Sequence, residues 1–244
     1  MKTAAIIQAR MRSTRLPGKV LLPILGRPML ELMIERLRRV SALDEIIVAT
    51  TVDPTCNPIE DLAQHLGVAC YRGSEDDVLD RVLRAARAFH VDLIVEVTGD
   101  CPLIDPETIT GVIRCFNSNQ VDYCSNILER TYPRGMDVQV FPVAVLAEVA
   151  EITKDPADRE HVSLYIYQHP ERYRLLNMAS GLQPEAADLR LTVDTPGDFD
   201  LVSRVFERLY PRNPAFGLAD ILALFDRSPE LRGINRNVQQ KAVR

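Results

Sequence analysis

The chain has 244 residues, 46% of them hydrophobic and 26% charged, with a net charge of −5. This balance is that of a folded globular protein; it excludes a mainly disordered chain or a small disulfide-stapled scaffold, and the negative charge argues against a general nucleic-acid binder. No apolar run approaches the ~18 residues needed to cross a bilayer, and the apolar stretch within residues 1–8 is too short for a signal-peptide core, so a cytoplasmic protein with no membrane insertion is expected.

In chain order, Thr3 to Ala9 reads as a buried strand. Pro28 to Val40 reads as a helix with Pro28 in its first turn and Leu30, Met33, Ile34 and Leu37 on one face. Glu45 to Thr51 is a second strand, and Asn57-Pro58-Ile59-Glu60 reads as a helix start with Asn57 as N-cap. Val68 to Tyr71 is a short strand, Ser74-Glu75-Asp76-Asp77 opens a helix to about Phe89, Val91 to Val97 is a strand, and Asp105-Pro106-Glu107 caps the next helix. Further along, Val138 to Phe141, Tyr173 to Met178 and Leu189 to Val193 read as strands, and Ala157 to His169 and Pro196 to Leu209 as helices. Leu218, Ile221, Leu222 and Phe225 make one apolar helix face in the tail. The βαβαβ rhythm over the first ~120 residues predicts an α/β fold: a doubly wound, mostly parallel, Rossmann-like sheet that binds its ligand at the carboxyl ends of the strands. An elaborated second half on one domain fits better than two independent domains.

Five cysteines, an odd number without a CxxC, read as reduced thiols; Cys101 has no histidine near it in sequence, and none of the four histidines forms a metal-ligand pair such as HExxH. Six cations, Lys2, Arg10, Arg12, Arg15, Lys19 and Arg27, precede the first acid, Glu31. Four of them crowd the connection after the first strand, Gln8-Ala9-Arg10-Met11-Arg12-Ser13-Thr14-Arg15-Leu16-Pro17-Gly18-Lys19, where Pro17-Gly18 suits the centre of a type II turn. Unpaired cations this close repel one another unless a polyanion joins them, so a nucleoside triphosphate is expected here, held by guanidinium forks and backbone N–H groups. The loop is neither GxxxxGK[ST] nor GxGxxG, which disfavours a dinucleotide cofactor and an NAD-dependent enzyme.

Two aspartates stand at strand ends. Asp100 follows Thr98-Gly99 and can hold a Mg²⁺ ion, which prefers one or two carboxylates plus substrate phosphates, or serve as a local turn residue. Asp194 precedes Thr195-Pro196-Gly197-Asp198, in which Thr195 reads as N-cap and Asp198 as a structural N3 acid, leaving Asp194 free to face a site.

The segment from Ala9 to Lys19, followed by Gly26-Arg27-Pro28-Met29, resembles the signature of the sugar-activating cytidylyltransferases, the CMP-KDO synthetases and acylneuraminate cytidylyltransferases among them, and within these the branch of spore coat polysaccharide biosynthesis protein F. Thr98-Gly99-Asp100-Cys101-Pro102-Leu103-Ile104 and Asp194-Thr195-Pro196-Gly197-Asp198 resemble two later blocks of that family, and Arg72 to Arg81 resembles its stretch for cytosine and ribose, although Asp80 and Arg81 also suit a plain charged helix face. The resemblance implies a Mg²⁺-dependent transfer of a cytidylyl group from CTP to a small sugar, of the 2-keto sugar acid kind, with release of pyrophosphate. It implies Arg10, Lys19 and Asp100 as catalytic residues, and Gln8, Ala9, Arg10, Ser13, Arg15, Lys19, Arg72, Gly73, Thr98 and Asp100 as nucleotide-binding residues. Asp100 and Asp194 would bind the metal, and Asn126, Arg134, Asp137 and His161 the sugar. It further implies a homodimer, formed through the irregular segment from Tyr132 to Tyr173. The domain then divides into a nucleotide-binding half (1–120), a sugar-binding and dimerisation half (121–210) and a helical tail (211–244). The chain departs from the KDO enzymes at Thr98 and Cys101, where they carry glutamine and glutamate, and has Gln139 where glutamate is expected in this branch. Transfer to a phosphorylated acceptor, and a non-catalytic nucleotide-binding module of a polysaccharide assembly complex, stay open as alternatives.

Overall fold

A computed structural model describes residues 1–240; residues 241–244, the end of the expected helical tail, lie outside the described residues. The elements run β1 (Thr3–Gln8), β2 (Pro23–Ile24), β3 (Arg27–Pro28), α1 (Met29–Leu37), β4 (Glu45–Thr51), α2 (Asn57–His65), β5 (Ala69–Gly73), α3 (Val78–Ala88), β6 (Leu93–Thr98) and α4 (Pro106–Asn117). They continue with β7 (Tyr123–Ser125), β8 (Gln139–Pro142), α5 (Val143–Ile152), α6 (Pro156–Glu160), α7 (Leu164–Gln168), β9 (Leu175–Asn177), α8 (Pro184–Ala187), α9 (Pro196–Leu209) and α10 (Leu218–Arg227).

Seven strands form one sheet in the order β5-β4-β1-β6-β8-β7-β9. β1 lies between β4 and β6 and pairs parallel with both, and β4 pairs parallel with β5. β8 enters antiparallel between β6 and β7, and β9 lies parallel to β7 at the edge. The mostly parallel, doubly wound expectation therefore holds, with β8 the antiparallel insertion. The alternation of β1 feeds two cores. Ala5 and Ile7 pack under α1, α2 and α4 on one face, while Ala4 and Ile6 pack under α3 and α5 on the other. Burying each of the two isoleucines contributes roughly 1.5–3 kcal/mol, so the central strand is held firmly in the sheet. A third core gathers the β2–β3 ribbon, Leu191, Val193, α9 and α10.

Local chemistry opens several of the helices. Asp77 Oδ1 accepts from Asp80 N at 2.9 Å to open α3, and Asp105 Oδ2 accepts from Thr108 N at 2.9 Å to open α4. Thr195 and Asp198 form a reciprocal capping box on α9. Four expectations are corrected. Asn57 is not the N-cap of α2, because a 3-10 turn at Pro54–Cys56, opened by Asp53, runs straight into that helix. Pro28 ends β3 and caps α1 from outside rather than sitting in its first turn. The expected helix from Ala157 to His169 is two short helices: Val162 adopts φ 48 between them, and Arg159 is tied to Asp77 and to Ala150 O. Leu189 to Val193 is no sheet strand. It runs extended past the sheet's end, where Leu191 N donates to Arg134 O at 2.7 Å and Val193 N to Asp100 O at 2.8 Å. β7 and α5 have no counterpart in the sequence reading. No helix among the described residues is long and apolar enough to cross a membrane.

Candidate active site

β1, β4 and β6 all end at one edge of the sheet, and the basic loop leaves from there. Gly18, at φ 69, is the third residue of a turn closed by Lys19 N donating to Leu16 O at 3.2 Å, as the Pro17-Gly18 pair predicts. The turn sends Lys19 back beneath the loop, where it is 9% exposed. Beside it, Gly99 brings β6 against β1. A Cβ at Gly99 would lie 2.9 Å from Gln8 O, the atom that accepts the Gly99 N–H.

Lys19 is the hub. Its Nζ donates to Asp100 Oδ2 at 2.8 Å, to Asp194 Oδ1 at 2.9 Å and to Val193 O at 2.7 Å, which uses all three ammonium hydrogens. Burial pushes the Lys19 ammonium down, but Asp100 and Asp194 outweigh it and hold it above its ordinary value. Asp194 also meets Arg15 at 3.0 Å and Arg190 at 2.6 Å. Burial alone would raise its carboxyl; Lys19 first, then Arg15 and Arg190, hold it below the usual carboxylate range. Asp198, fully buried, accepts from the backbone of Asp194 and Thr195, from Arg190 Nε and from Asn235, and so is structural.

Contrary to the sequence-based expectation, the loop cations are not unpaired. Arg10 faces Glu75 at 3.4 Å and Arg12 faces Asp53 at 2.6 Å, so acids from distant connections already neutralise the loop. These pairs are open to exchange: the Arg12 side chain is 63% exposed and that of Arg10 40%, and solvent-exposed pairs are worth only about 0–1 kcal/mol. An incoming polyanion can replace Glu75 and Asp53 at little cost, whereas the buried Lys19 contacts are far more strongly held.

Across the edge, Arg72 is committed to Thr51 O, Asp53 O and Glu60. Arg81 is buried, packs against Gly73 and donates to Ser74 O, so it shapes the 72–81 stretch rather than forming a charged face. Thr98 Oγ1 lies 3.4 Å from Cys101 Sγ. Burial and Asp100 push the Cys101 thiol up, which suits a packing residue and not a nucleophile.

The four expected sugar-side residues do different work. Asn126 is fully buried, donating to Met136 O at 2.6 Å and accepting from Val138 N at 2.9 Å, and thus closes the 126–138 loop. Asp137 pairs with Arg130 at 2.8 Å. His161 ends α6, beside α3. Arg134 borders a cavity of about 580 Å³ together with Arg190, Arg232 and Arg236. Burial and the neighbouring Arg130 lower its pKa, with Arg190 adding to the effect. Arg190 itself was missed. Its signal was alternation in Arg190-Leu191-Thr192-Val193-Asp194, which sets Arg190 and Asp194 on one side.

Among the described residues no cluster of three or more acidic, histidine or cysteine side chains is preformed for a metal. The pair Asp100 and Asp194 nonetheless fits a hard divalent cation. Both carboxylates already converge on one positive point, the Lys19 ammonium, and all their donors are oxygens.

A cytidylyltransferase family model matches residues 4–216. Spore coat polysaccharide biosynthesis protein SpsF of Bacillus subtilis is 32% identical over 230 residues, spanning 92% of this chain and 94% of that protein. A cytidylyltransferase from Leptospira borgpetersenii superposes with a TM-score of 0.90 at 32% identity, over 99% of this chain and 100% of its own. CMP:2-keto-3-deoxy-manno-octonic acid synthetase complexed with CTP shares the fold, with a TM-score of 0.66 at 21% identity over 85% of this chain and 99% of that one.

Proposed function

The chain belongs to the cytidylyltransferase family, and from that premise we propose that it activates a sugar with CTP, giving a CMP-sugar and pyrophosphate for surface polysaccharide synthesis. The observation that carries this reading is the junction of Lys19 with Asp100 and Asp194 at the foot of the basic loop. The SpsF relative and the CTP complex of the octonic acid synthetase support it.

In this reading the triphosphate lies on the loop, taking Arg10 and Arg15 from their carboxylate partners, with Ser13 and the backbone of Gln8 and Ala9 beside it. Arg72, Gly73 and Thr98 border the nucleoside. A hydroxyl of a 2-keto sugar acid attacks the α-phosphorus in line; the new P–O bond forms as the bond to pyrophosphate breaks, and the hydroxyl proton is released. Asp100 and Asp194 would hold Mg²⁺, which when bound neutralises the α-phosphate and orients the nucleophile. Lys19 keeps the two carboxylates together before nucleotide arrives, and stabilises charge building on pyrophosphate once the triphosphate competes for its ammonium. The rest of the rate comes from positioning. Arg134 and His161 face the acceptor, Asp137 steadies that side through Arg130, and Asn126 shapes the loop. We further propose a single domain over 1–244, a cytoplasmic location and a homodimer through the segment from Tyr132 to Tyr173.

A phosphorylated acceptor is the second reading, favoured by the four arginines bordering the cavity beside Asp194. A panel of nucleoside triphosphates against sugar acids and sugar phosphates, read by pyrophosphate release and product mass with a Mg²⁺-free control, separates the two. CTP binding without consumption across the panel would leave only a non-catalytic binding module.

A further inference from the structure

Gln8 ends β1, and Glu96 lies two residues before the end of β6 on the same face of the sheet, because Ile6 pairs with Glu96 and Gln8 with Thr98. Glu96 is 3% exposed, and its Oε1 accepts from Gln8 Nε2 at 2.6 Å. The neighbouring amide is occupied elsewhere: Gln139, opposite Glu96 on β8, takes both Tyr123 OH and Ser163 Oγ on its Oε1 at 2.6 Å.

Above its titration at about pH 7 Glu96 is a carboxylate, which only accepts hydrogen bonds, so it dictates which end of the Gln8 amide faces it. The NH₂ group turns inward and the oxygen must turn the other way. The Gln8 backbone oxygen is already bound by Gly99 N–H at 2.9 Å. The side-chain oxygen is therefore left without a hydrogen-bond partner among the described residues, on a half-buried side chain where the basic loop begins. α3, the helix entered from the 72–81 stretch, packs over this face of β1, and Glu75 of that stretch reaches Arg10. Gln8 thus ends the strand from which the basic loop leaves, on the sheet face covered by the helix of the 72–81 stretch.

We infer that Glu96 makes Gln8 a base-reading residue: by holding the amide in one orientation, it presents the Gln8 oxygen to the amino group of cytosine and so selects CTP over UTP. Uracil carries a carbonyl in place of that amino group, and two acceptors would face each other. Glu96 is the positioning residue and Gln8 the one that touches the base. The inference rests on the proposed use of the cleft for a nucleoside triphosphate.

The test is calorimetric titration of Mg-CTP and Mg-UTP into the full chain at pH 8, where Glu96 is ionised; it needs no acceptor. Wild type should bind CTP more tightly. Glu96→Gln offers both a donor and an acceptor to Gln8, so the amide can turn over, and the CTP:UTP affinity ratio should fall about tenfold, the size of one neutral hydrogen bond. Gln8→Met, which keeps the volume and removes the acceptor, should lower the ratio similarly and serves if the Glu96 variant does not fold. An unchanged ratio in a folded variant, with both nucleotides weakened alike, overturns the inference, as does a wild type that binds both equally. A wild type that binds neither nucleotide fails the cytidylyltransferase reading, and the inference falls with it.

Discussion

Lys19 and Asp194 are 175 residues apart in the chain, and the Lys19 ammonium lies 2.9 Å from the Asp194 carboxylate. One buried cation thus gathers two acids that the rest of the fold delivers from opposite directions, Asp100 from the end of β6 and Asp194 from the entrance of α9. Nearly every expectation about the site depends on that meeting.

Replacing the hub should expose its structural share. Lys19→Gln leaves two largely buried carboxylates facing each other, and breaking such a pair from one side costs several kcal/mol; with Asp100 and Asp194 still in partial contact with solvent, about 2–3 kcal/mol is expected. Thermal melts should show the loss and should show MgCl₂ recovering part of it in the variant, since a divalent cation suits the same two carboxylates. A variant as stable as wild type, with no response to magnesium, would contradict the clamp.

Asp100→Asn keeps the shape of the side chain and removes its charge. Turnover, followed as pyrophosphate release, should fall on the order of 10³-fold, while the melting temperature moves by only a few degrees. Near-normal release would remove Asp100 from the reaction.

The exposed end of the loop should behave differently. Arg12→Ala breaks an ion pair that is mostly in solvent, so stability should stay within about 0.5 kcal/mol of wild type. CTP affinity should nevertheless weaken, and its dependence on salt should become shallower, because one long-range attraction to the triphosphate is gone. Titrations at two ionic strengths check both.

Acid–base behaviour offers a separate test. Burial pushes the Glu96 carboxyl from its ordinary 4.5 up to about 7, against the opposing pull of the neighbouring Ser163 hydroxyl and Gln8 amide. Between those values the folded protein keeps a proton that the unfolded chain has lost. Its contribution is therefore whole below 4.5 and disappears as the pH rises through 7, a change of roughly 3 kcal/mol. Urea denaturation at pH 5 and pH 8 should show Glu96→Gln losing less stability than wild type over that interval; parallel losses would refute it.

What the sequence disclosed, and what it withheld, follows from the range of each signal. Pro17-Gly18 announces its turn, Asp105 and Thr195 announce their helix caps, and the uniform apolarity of β1 announces a strand buried on both faces, because each of these is decided within a few residues. The partners of Arg10 and Arg12 are not of that kind: Glu75 and Asp53 meet them only after the sheet has formed. Leu189 to Val193 has the alternation of a strand, but at the sheet's end it finds the 134 loop and Asp100 instead of a neighbouring strand. The helix expected through Val162 gives way because Arg159 is anchored to Asp77 and Ser163 to Gln139, contacts that local propensity does not register. Asn126 is assigned to the sugar side by the family resemblance; its amide donates to Met136 O and accepts from Val138 N, long-range contacts that only the folded chain reveals.

The proposed function requires that the arginine–lysine loop and the two distant aspartates form one nucleotide-and-metal cleft. A crystal grown with CTP and Mn²⁺ and examined for anomalous scattering decides this. The predicted result is a manganese peak bound by Asp100 and Asp194 with the triphosphate along residues 10–19. A peak away from both carboxylates, or a nucleotide seated in the arginine-lined cavity with the loop empty, would contradict it.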